Sequence, residues 1–438
     1  MGDIPPNFLT IASLSNNRRV FCAEPGSSAP DTDRHLRMKL QEESKLDAQT
    51  RVGFVSTYPP RECGIASYTR NLSLALLMQG HIRESVIVAI NEDGGNLYSD
   101  KNVRNTIDQN IRDSYRAAAS FLNDSNVSVT SVQHEYGIFG GEWGEYVLDL
   151  YANLEKPIVT TFHTVLANPP EKARRVLIEL AEMSEAVVVT IESAAKLLED
   201  QTGLSPKRIR IIGHGASLPE RWQDQYAKRE LGLQKRFVLA TVGLISEGKG
   251  IEYAIRAIPR LVKERPDLLY LVIGETHPEV RKHEGEEYRD KLVALAKRLE
   301  VETHVRFIDN FLPDDRLSRY LQAVDVYVAP YLGRDQVSSG TLTLALSHGK
   351  AIVSTPSTFS KEVLSGNRGL LCKFADARSL AECVDRIMGD PGLKRQLEAN
   401  AFKYGRQVGW TRVADEYAET FRLATRSAQV VRETRQVS

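Results

Sequence analysis

Apolar residues fall into short runs that alternate with longer amphipathic stretches from Arg51 onward. RVGFVST (51–57) has the length and β-branched content of a buried strand. A Pro/Gly loop, YPPRECG, follows it, and Ile65–Met78 then places apolar side chains at helical spacing. SVIVAI (85–90), VTSVQH (129–134), PIVTTFH (157–163), AVVVTI (186–191) and IRIIGH (209–214) repeat the strand signal. The rhythm restarts with RFVLATVG (236–243) and continues through LLYLVIG (268–274), VRFID (305–309), VDVYVAP (324–330) and KAIVST (350–355). Strands with Val and Ile on both faces, separated by helices, predict parallel sheets covered on each side. The chain therefore reads as α/β, with two doubly wound parallel-sheet domains facing across a cleft. The boundaries expected are a first domain over 51–215, a linker over 216–235 and a second domain over 236–400. A helical pattern over Ala401–Ala424, with Trp410, Tyr417 and Phe421, is expected to return to the first domain as a crossover helix (401–425), leaving a tail over 426–438. Residues 1–50 are Ser-, Asn-, Asp- and Pro-rich, with one short helix expected at Arg34–Leu46, and read as a flexible extension.

Charge and cysteine content narrow the classes. The 57 basic and 57 acidic side chains cancel, which removes the electrostatic footprint of a dedicated nucleic-acid binder. Four cysteines, Cys22, Cys63, Cys372 and Cys383, form no CxxC pair, so neither a disulfide scaffold nor a cysteine-rich zinc site is expected. The opening MGDIPPNFLTIASLSNNRR lacks the basic-then-apolar order of a secretory signal, and no apolar run has the ~20 residues of a membrane span. A cytoplasmic location is expected.

Ligands of doubly wound sheets bind beyond the carboxyl ends of strands, so candidate chemistry is sought there. Gly64 and Ala66, after the first strand, bring bare amides to a helix start and suit a phosphate or sugar oxygen; an ordinary strand–helix turn fits too. The spacing is not G-x-G-x-x-G, which argues against a dehydrogenase. His134, Glu135 and Tyr136 end another strand ahead of FGGEWGE and offer proton transfer and hydroxyl contacts, the alternative being a structural cluster. His163 in TTFHT and His214 in IIGHGAS sit at further strand ends, the latter between glycines that also suit a tight turn. Lys249, flanked by Gly248 and Gly250 before a helix, places a cation where a diphosphate would bind, unless it is merely solvated. The segment Gln336-Val337-Ser338-Ser339-Gly340-Thr341 opens another helix with hydroxyls and free amides, a second anion cradle or plain capping. No DxD follows a strand, so no catalytic metal is expected.

Taken together, STYPPRECGIASYTRNL, TTFHT, IIGHGAS, VGLISEGKGIEYAI, LVIGE, VRFIDNFLPDDRLSRYLQAVDVYVAP, GKAIVST and KEVLSGNRGLLC resemble the retaining family 4 glycosyltransferases, glycosyl transferases group 1 of GT-B fold, over about Arg51–Ala424. The resemblance implies a nucleotide-diphosphate sugar donor in the second domain and a saccharide, small-molecule or lipid-linked acceptor in the first. No cofactor beyond that donor substrate is expected. By position, Lys249 matches the diphosphate lysine, Gly64 the glycine loop, His163 the histidine near the donor sugar, and Glu362 the acid before the final glycine turn. His163, Lys249 and Glu135 are the catalytic candidates. Gly64, Lys249, Gln336, Ser338, Ser339, Gly340, Thr341 and Glu362 are donor-binding candidates, and His134, Tyr136 and His214 are sugar or acceptor contacts. The chain departs from the family at Leu244, where an arginine is common, and at Gln336 and Leu344, where paired glutamates stand. Ser338, Ser339 and Thr341 are expected to take over phosphate binding. The function expected is retaining hexosyl transfer to a hydroxyl acceptor. A phosphate-dependent glycoside phosphorylase and a non-catalytic sugar-nucleotide binder stay open, and the basic cluster Lys172, Arg174 and Arg175 leaves peripheral membrane contact open beside a solvated face.

Overall fold

The computed structural model describes residues 50–92, 98–219 and 224–437; the leader, Thr50 excepted, and its expected helix lie outside the described residues. The first half runs β1 (Arg51–Ser56), α1 (Gly64–Met78), β2 (Glu84–Asn91), β3 (Val103–Asp108), α2 (Arg112–Asp124), β4 (Val129–His134) and α3 (Val147–Asn153). It continues β5 (Ile158–Phe162), α4 (Glu171–Met183), β6 (Ala186–Val189), α5 (Glu192–Thr202) and β7 (Ile209–Ile211). After α6 (Asp224–Glu230) come β8 (Phe237–Val242), α7 (Ile251–Glu264), β9 (Leu268–Ile273), α8 (Pro278–Glu284), α9 (Glu287–Arg298), β10 (Val305–Ile308) and α10 (Asp314–Ala323). The chain ends with β11 (Val326–Ala329), α11 (Gly340–Ser347), β12 (Ala351–Ser354), α12 (Thr358–Val363), β13 (Leu370–Leu371), α13 (Ala377–Gly389), α14 (Pro391–Gln407) and α15 (Trp410–Val437).

Two Rossmann-like sheets result, ordered β3-β2-β1-β4-β5-β6-β7 and β10-β9-β8-β11-β12-β13, with every ladder parallel. The strands β1, β4, β5, β6, β8, β9, β11 and β12 are buried almost throughout, which is why their sequences read as continuous apolar runs. The edge strand β3 alternates between partly buried and exposed positions, and its sequence VRNTID carries too few apolar residues to stand out. In each sheet the strand order reverses beside the first strand, between β1 and β4 and between β8 and β11. Those switch points open the crevices in which doubly wound sheets take ligands.

The helical pattern expected over Ala401–Ala424 divides into α14 and α15. Between them Gly409 forms a parallel bridge with Ala216; Ala216 N donates to Val408 O (3.0 Å) and Trp410 N to Ala216 O (3.2 Å). Those two bonds interrupt the helical ladder. Helix α15 then buries Val413, Ala414, Tyr417 and Phe421 in the core of the first sheet with Val52, Phe54 and Leu72. The Tyr417 hydroxyl meets those of Tyr68 (2.9 Å) and Thr161 (2.8 Å). Among the described residues, no helix is long and apolar enough to cross a membrane.

Candidate active site

The carboxyl ends of the two sheets enclose a cavity of about 540 Å³. Its first wall begins where β1 gives way to α1. Cys63 caps α1 by accepting from Ala66 N (3.3 Å) and meets the Thr57 hydroxyl at 3.1 Å. Arg61 is tied to Glu92 and, at 3.1 Å, to Gln109, which fixes the loop from outside. Gly64 lines the cavity, and a methyl group added there would meet no protein atom within 4 Å. The space beside it is left open by the protein.

Deeper in this wall, the Tyr68 ring lies edge-on to His163 (4.8 Å), His214 (5.2 Å) and Trp410 (5.3 Å). His163 Nε2 faces Gln133 Oε1 at 3.0 Å, while the Gln133 amide donates to Ser131. The imidazole proton is thereby placed on Nε2, and Nδ1 is left buried without a partner. Burial, then the neighbouring His214 and His134, holds the His163 pKa well below its ordinary value. His163 is thus a neutral ring with a lone pair to offer a hydroxyl. His214 is likewise depressed, to about 4, by burial. Glu135 reaches the cavity, but its carboxylate accepts from the Thr164 hydroxyl (2.6 Å) and from Tyr136 N (3.0 Å). Burial raises its pKa against those two bonds.

The second wall carries the charge. Between β8 and α7, Gly243 (φ 140°) and Gly250 (φ 61°) take conformations open to glycine, and a side chain at Gly250 would strike Pro330 O at 2.2 Å. Lys249 Nζ sits 4.5 Å from the Tyr331 ring centroid and lines the cavity. Among the described residues no carboxylate pairs with it. On the same wall, Ser339 caps α11 at Leu342 N (3.3 Å), which leaves the amides of Gly340 and Thr341 without a helical acceptor. Only a glycine fits at 340, because a side chain there would come within 2.9 Å of the His214 ring.

The structure thus gathers Gly64, Glu135, His163, His214, Lys249, Gln336, Ser338, Ser339, Gly340 and Thr341 around one space. Four details depart from expectation. His134, the last residue of β4, points away from the cavity between Phe139 (5.6 Å, stacked) and Phe162 (5.3 Å). It is fully buried with neither nitrogen partnered, and burial lowers its pKa to about 3. Tyr136 packs edge-on against Trp143 (5.5 Å), outside the cavity lining. Glu362 also lies outside it and instead caps α5, accepting from Glu192 N (2.8 Å), Ser193 N (2.9 Å) and the Ser193 hydroxyl (2.6 Å). The hydroxyls assigned to phosphate are largely spent: Ser338 donates to His163 O (2.8 Å), Ser339 is the cap, and Thr341 meets Tyr331 (2.9 Å).

Sequence reading passed over His277, Asn310, Phe311 and Asp314, which also line the cavity. His277 follows a predicted strand closely, so the strand-end rule that selected His163 would have found it. Asp314 pairs across the cleft with Arg70 (2.9 Å) and Asn71 (3.3 Å), a tertiary contact with no local signature. The basic cluster on α4 is engaged: Lys172 with Glu142 and Glu145, Arg175 with Glu179, and Arg174 with Gln201 O.

Residues 223–404, which contain Lys249 and the α11 cradle, match the glycosyl transferases group 1 family. The second sheet belongs to a glycosyl transferases group 1 domain. Around this group 1 domain the described residues have the GT-B fold. A crystal structure of Anabaena HepE in complex with UDP and glucose superposes with a TM-score of 0.67 at 15% identity, covering 85% of this chain and 99% of that one. A glycosyltransferase from Rickettsia africae gives a TM-score of 0.67 at 16% identity, over 86% and 98% of the two chains. In sequence, a D-inositol 3-phosphate glycosyltransferase of Rhodococcus jostii is 28% identical over 293 residues, 61% of this chain and 62% of the relative's length. An uncharacterized glycosyltransferase of Methanocaldococcus jannaschii is 23% identical over 405 residues, 84% of this chain and 96% of that one.

Proposed function

We propose that this protein is a retaining, metal-independent glycosyltransferase that moves a hexosyl group from a nucleotide-diphosphate sugar to a hydroxyl acceptor. One observation carries the reading: Lys249, with no carboxylate partner among the described residues, lines the same cavity as the two unspent amides that open α11. A cation and oriented amides in a partly dry site stabilise the charge that builds on a leaving diphosphate, and they need no reorganisation to do so. The C1–O bond to the diphosphate breaks as the acceptor oxygen bonds C1 on the same face. The acceptor proton passes to the departing phosphate oxygen. His163 Nδ1 accepts a hydrogen bond from a donor-sugar hydroxyl, and Glu135 orders the acceptor side. In this reading the group 1 domain holds the donor, while the domain built on β1–β7 holds the acceptor. The UDP and glucose of the HepE complex and the glycosyltransferase relatives support it.

Calorimetric titration of the protein with UDP, GDP and ADP, in excess chelator, tests the reading. At least one should bind, and Lys249→Ala should weaken it about ten- to a hundredfold, the value of a charge-assisted contact, with an unchanged melting temperature. Equal affinity of wild type and variant, or binding that requires added magnesium, overturns it.

A further inference from the structure

His277 was assigned no role above, yet the backbone holds it beside Lys249 by a specific device. Beyond the sheet, the loops that follow β8 and β9 continue side by side. Gly243 N donates to Ile273 O (2.9 Å), Ile245 N to Glu275 O (2.8 Å) and His277 N to Ile245 O (2.9 Å), with Ile245 and Thr276 in a parallel bridge. Gly274 lets the two strands of this ribbon touch, since a side chain there would meet Gly243 O at 2.1 Å. The ribbon brings both Lys249 and His277 to the cavity lining. The imidazole is also oriented: Nδ1 accepts from Glu279 N at 3.2 Å, so the ring proton belongs on Nε2. The helix that follows, Pro278–Glu284, is seven residues long and is not itself the binding element.

We infer that His277 is a second side-chain donor to the anion beside Lys249, giving its Nε2–H to a phosphate oxygen of the nucleoside diphosphate. The inference rests on the function proposed above. A neutral donor suits this place, because a second full cation would be repelled by Lys249 until the ligand arrived. Burial first, and then the Lys249 charge, lower the His277 pKa, while Glu279 and Glu92 pull it the other way. The contact serves binding and orientation of the diphosphate and moves no proton.

His277→Asn separates this role from capping, because the shorter amide keeps an acceptor for Glu279 N while withdrawing the donor from the cavity. The probes are whichever of UDP, GDP and ADP wild type binds best, and its free nucleoside. The diphosphate should bind the variant about tenfold more weakly, with nucleoside affinity and melting temperature unchanged. Unchanged diphosphate affinity overturns the inference. So does an equal loss for diphosphate and nucleoside, which would mark His277 as scaffold. If Lys249→Ala weakens the diphosphate and His277→Asn does not, only this inference falls. If wild type binds none of the three diphosphates, the proposed function falls and the inference with it.

Discussion

The two walls of the cleft are made by the same device, a buried parallel strand opening into a loop that starts a helix, and they end in opposite electrostatic states. On the wall built from β1–β7, most cavity-facing polar groups are answered within the protein: Glu135 is met by Thr164, His163 Nε2 by Gln133, and Tyr68 by Tyr417, while His163 Nδ1 is left over. On the other wall, Lys249 and the first amides of α11 have no such answer among the described residues. A fold tolerates unanswered charge and amides at a half-open edge because water or a ligand completes them. The difference separates a wall whose polar groups are mostly paired from one that offers a cation and helix-start amides to the cavity, and it can be attacked from either side.

The heaviest blow to the second wall is Gly340→Val. The side chain would press on His214 and push the α11 amides away from the anion. Losing two charge-assisted amide contacts should cost about a hundredfold or more in nucleoside diphosphate affinity, read by calorimetry. Wild-type affinity would mean that α11 does not face the ligand. The first wall is probed by His134→Phe. In the folded chain the His134 pKa is near 3, well below the ordinary 6.5, so folding disfavours its proton. Its contribution is complete above pH 6.5 and is lost as pH falls toward 3, at about 1.4 kcal/mol per unit. Urea unfolding at pH 7.5 and pH 5 should show the variant losing about 2 kcal/mol less than wild type over that interval. Equal losses would contradict the buried, unpartnered ring. The gentlest test is Ser338→Ala. With its hydroxyl spent on His163 O, removal should cost only about 1 kcal/mol and weaken the diphosphate less than about tenfold. A loss as large as that of Lys249→Ala would return the hydroxyl to the phosphate, as the sequence suggests.

The same contrast explains what could be read before the structure. Buried parallel strands announce themselves because both faces are apolar, which is why VTSVQH marks β4 to the residue, whereas VRNTID, with a single fully buried residue, passes unseen. Strand-end position located Lys249, His163 and Gly340, since loops after parallel strands must arrive at one edge. It could not say which way a terminal side chain turns, and His134 turns inward. Nor could it show Glu362 reaching the other domain to cap α5, because 169 residues separate Glu362 from Ser193. Capping and phosphate binding want the same residue types at a helix start, so Ser338 and Ser339 were ambiguous until their partners were placed.

The break at Val408–Gly409 has a mechanical meaning. There the chain passes from one sheet domain to the other, directly beside its earlier passage at Ala216, and the two are stitched by a parallel bridge. Gly213 lies against Val408 and Gly215 against Trp410 so closely that a methyl group on either would come within 2.4 Å of its neighbour. The covalent crossings thus form one spine, like the binding of a book. Other ties include hydrogen bonds and ion pairs such as Ser338 to His163 O, Thr190 to Val337 O and Arg70 to Asp314, each worth about 1 kcal/mol, together with apolar packing between the two halves. Part of the registry across the cleft is thereby set by the backbone itself, where the two crossings are hydrogen-bonded at Ala216, Val408 and Trp410.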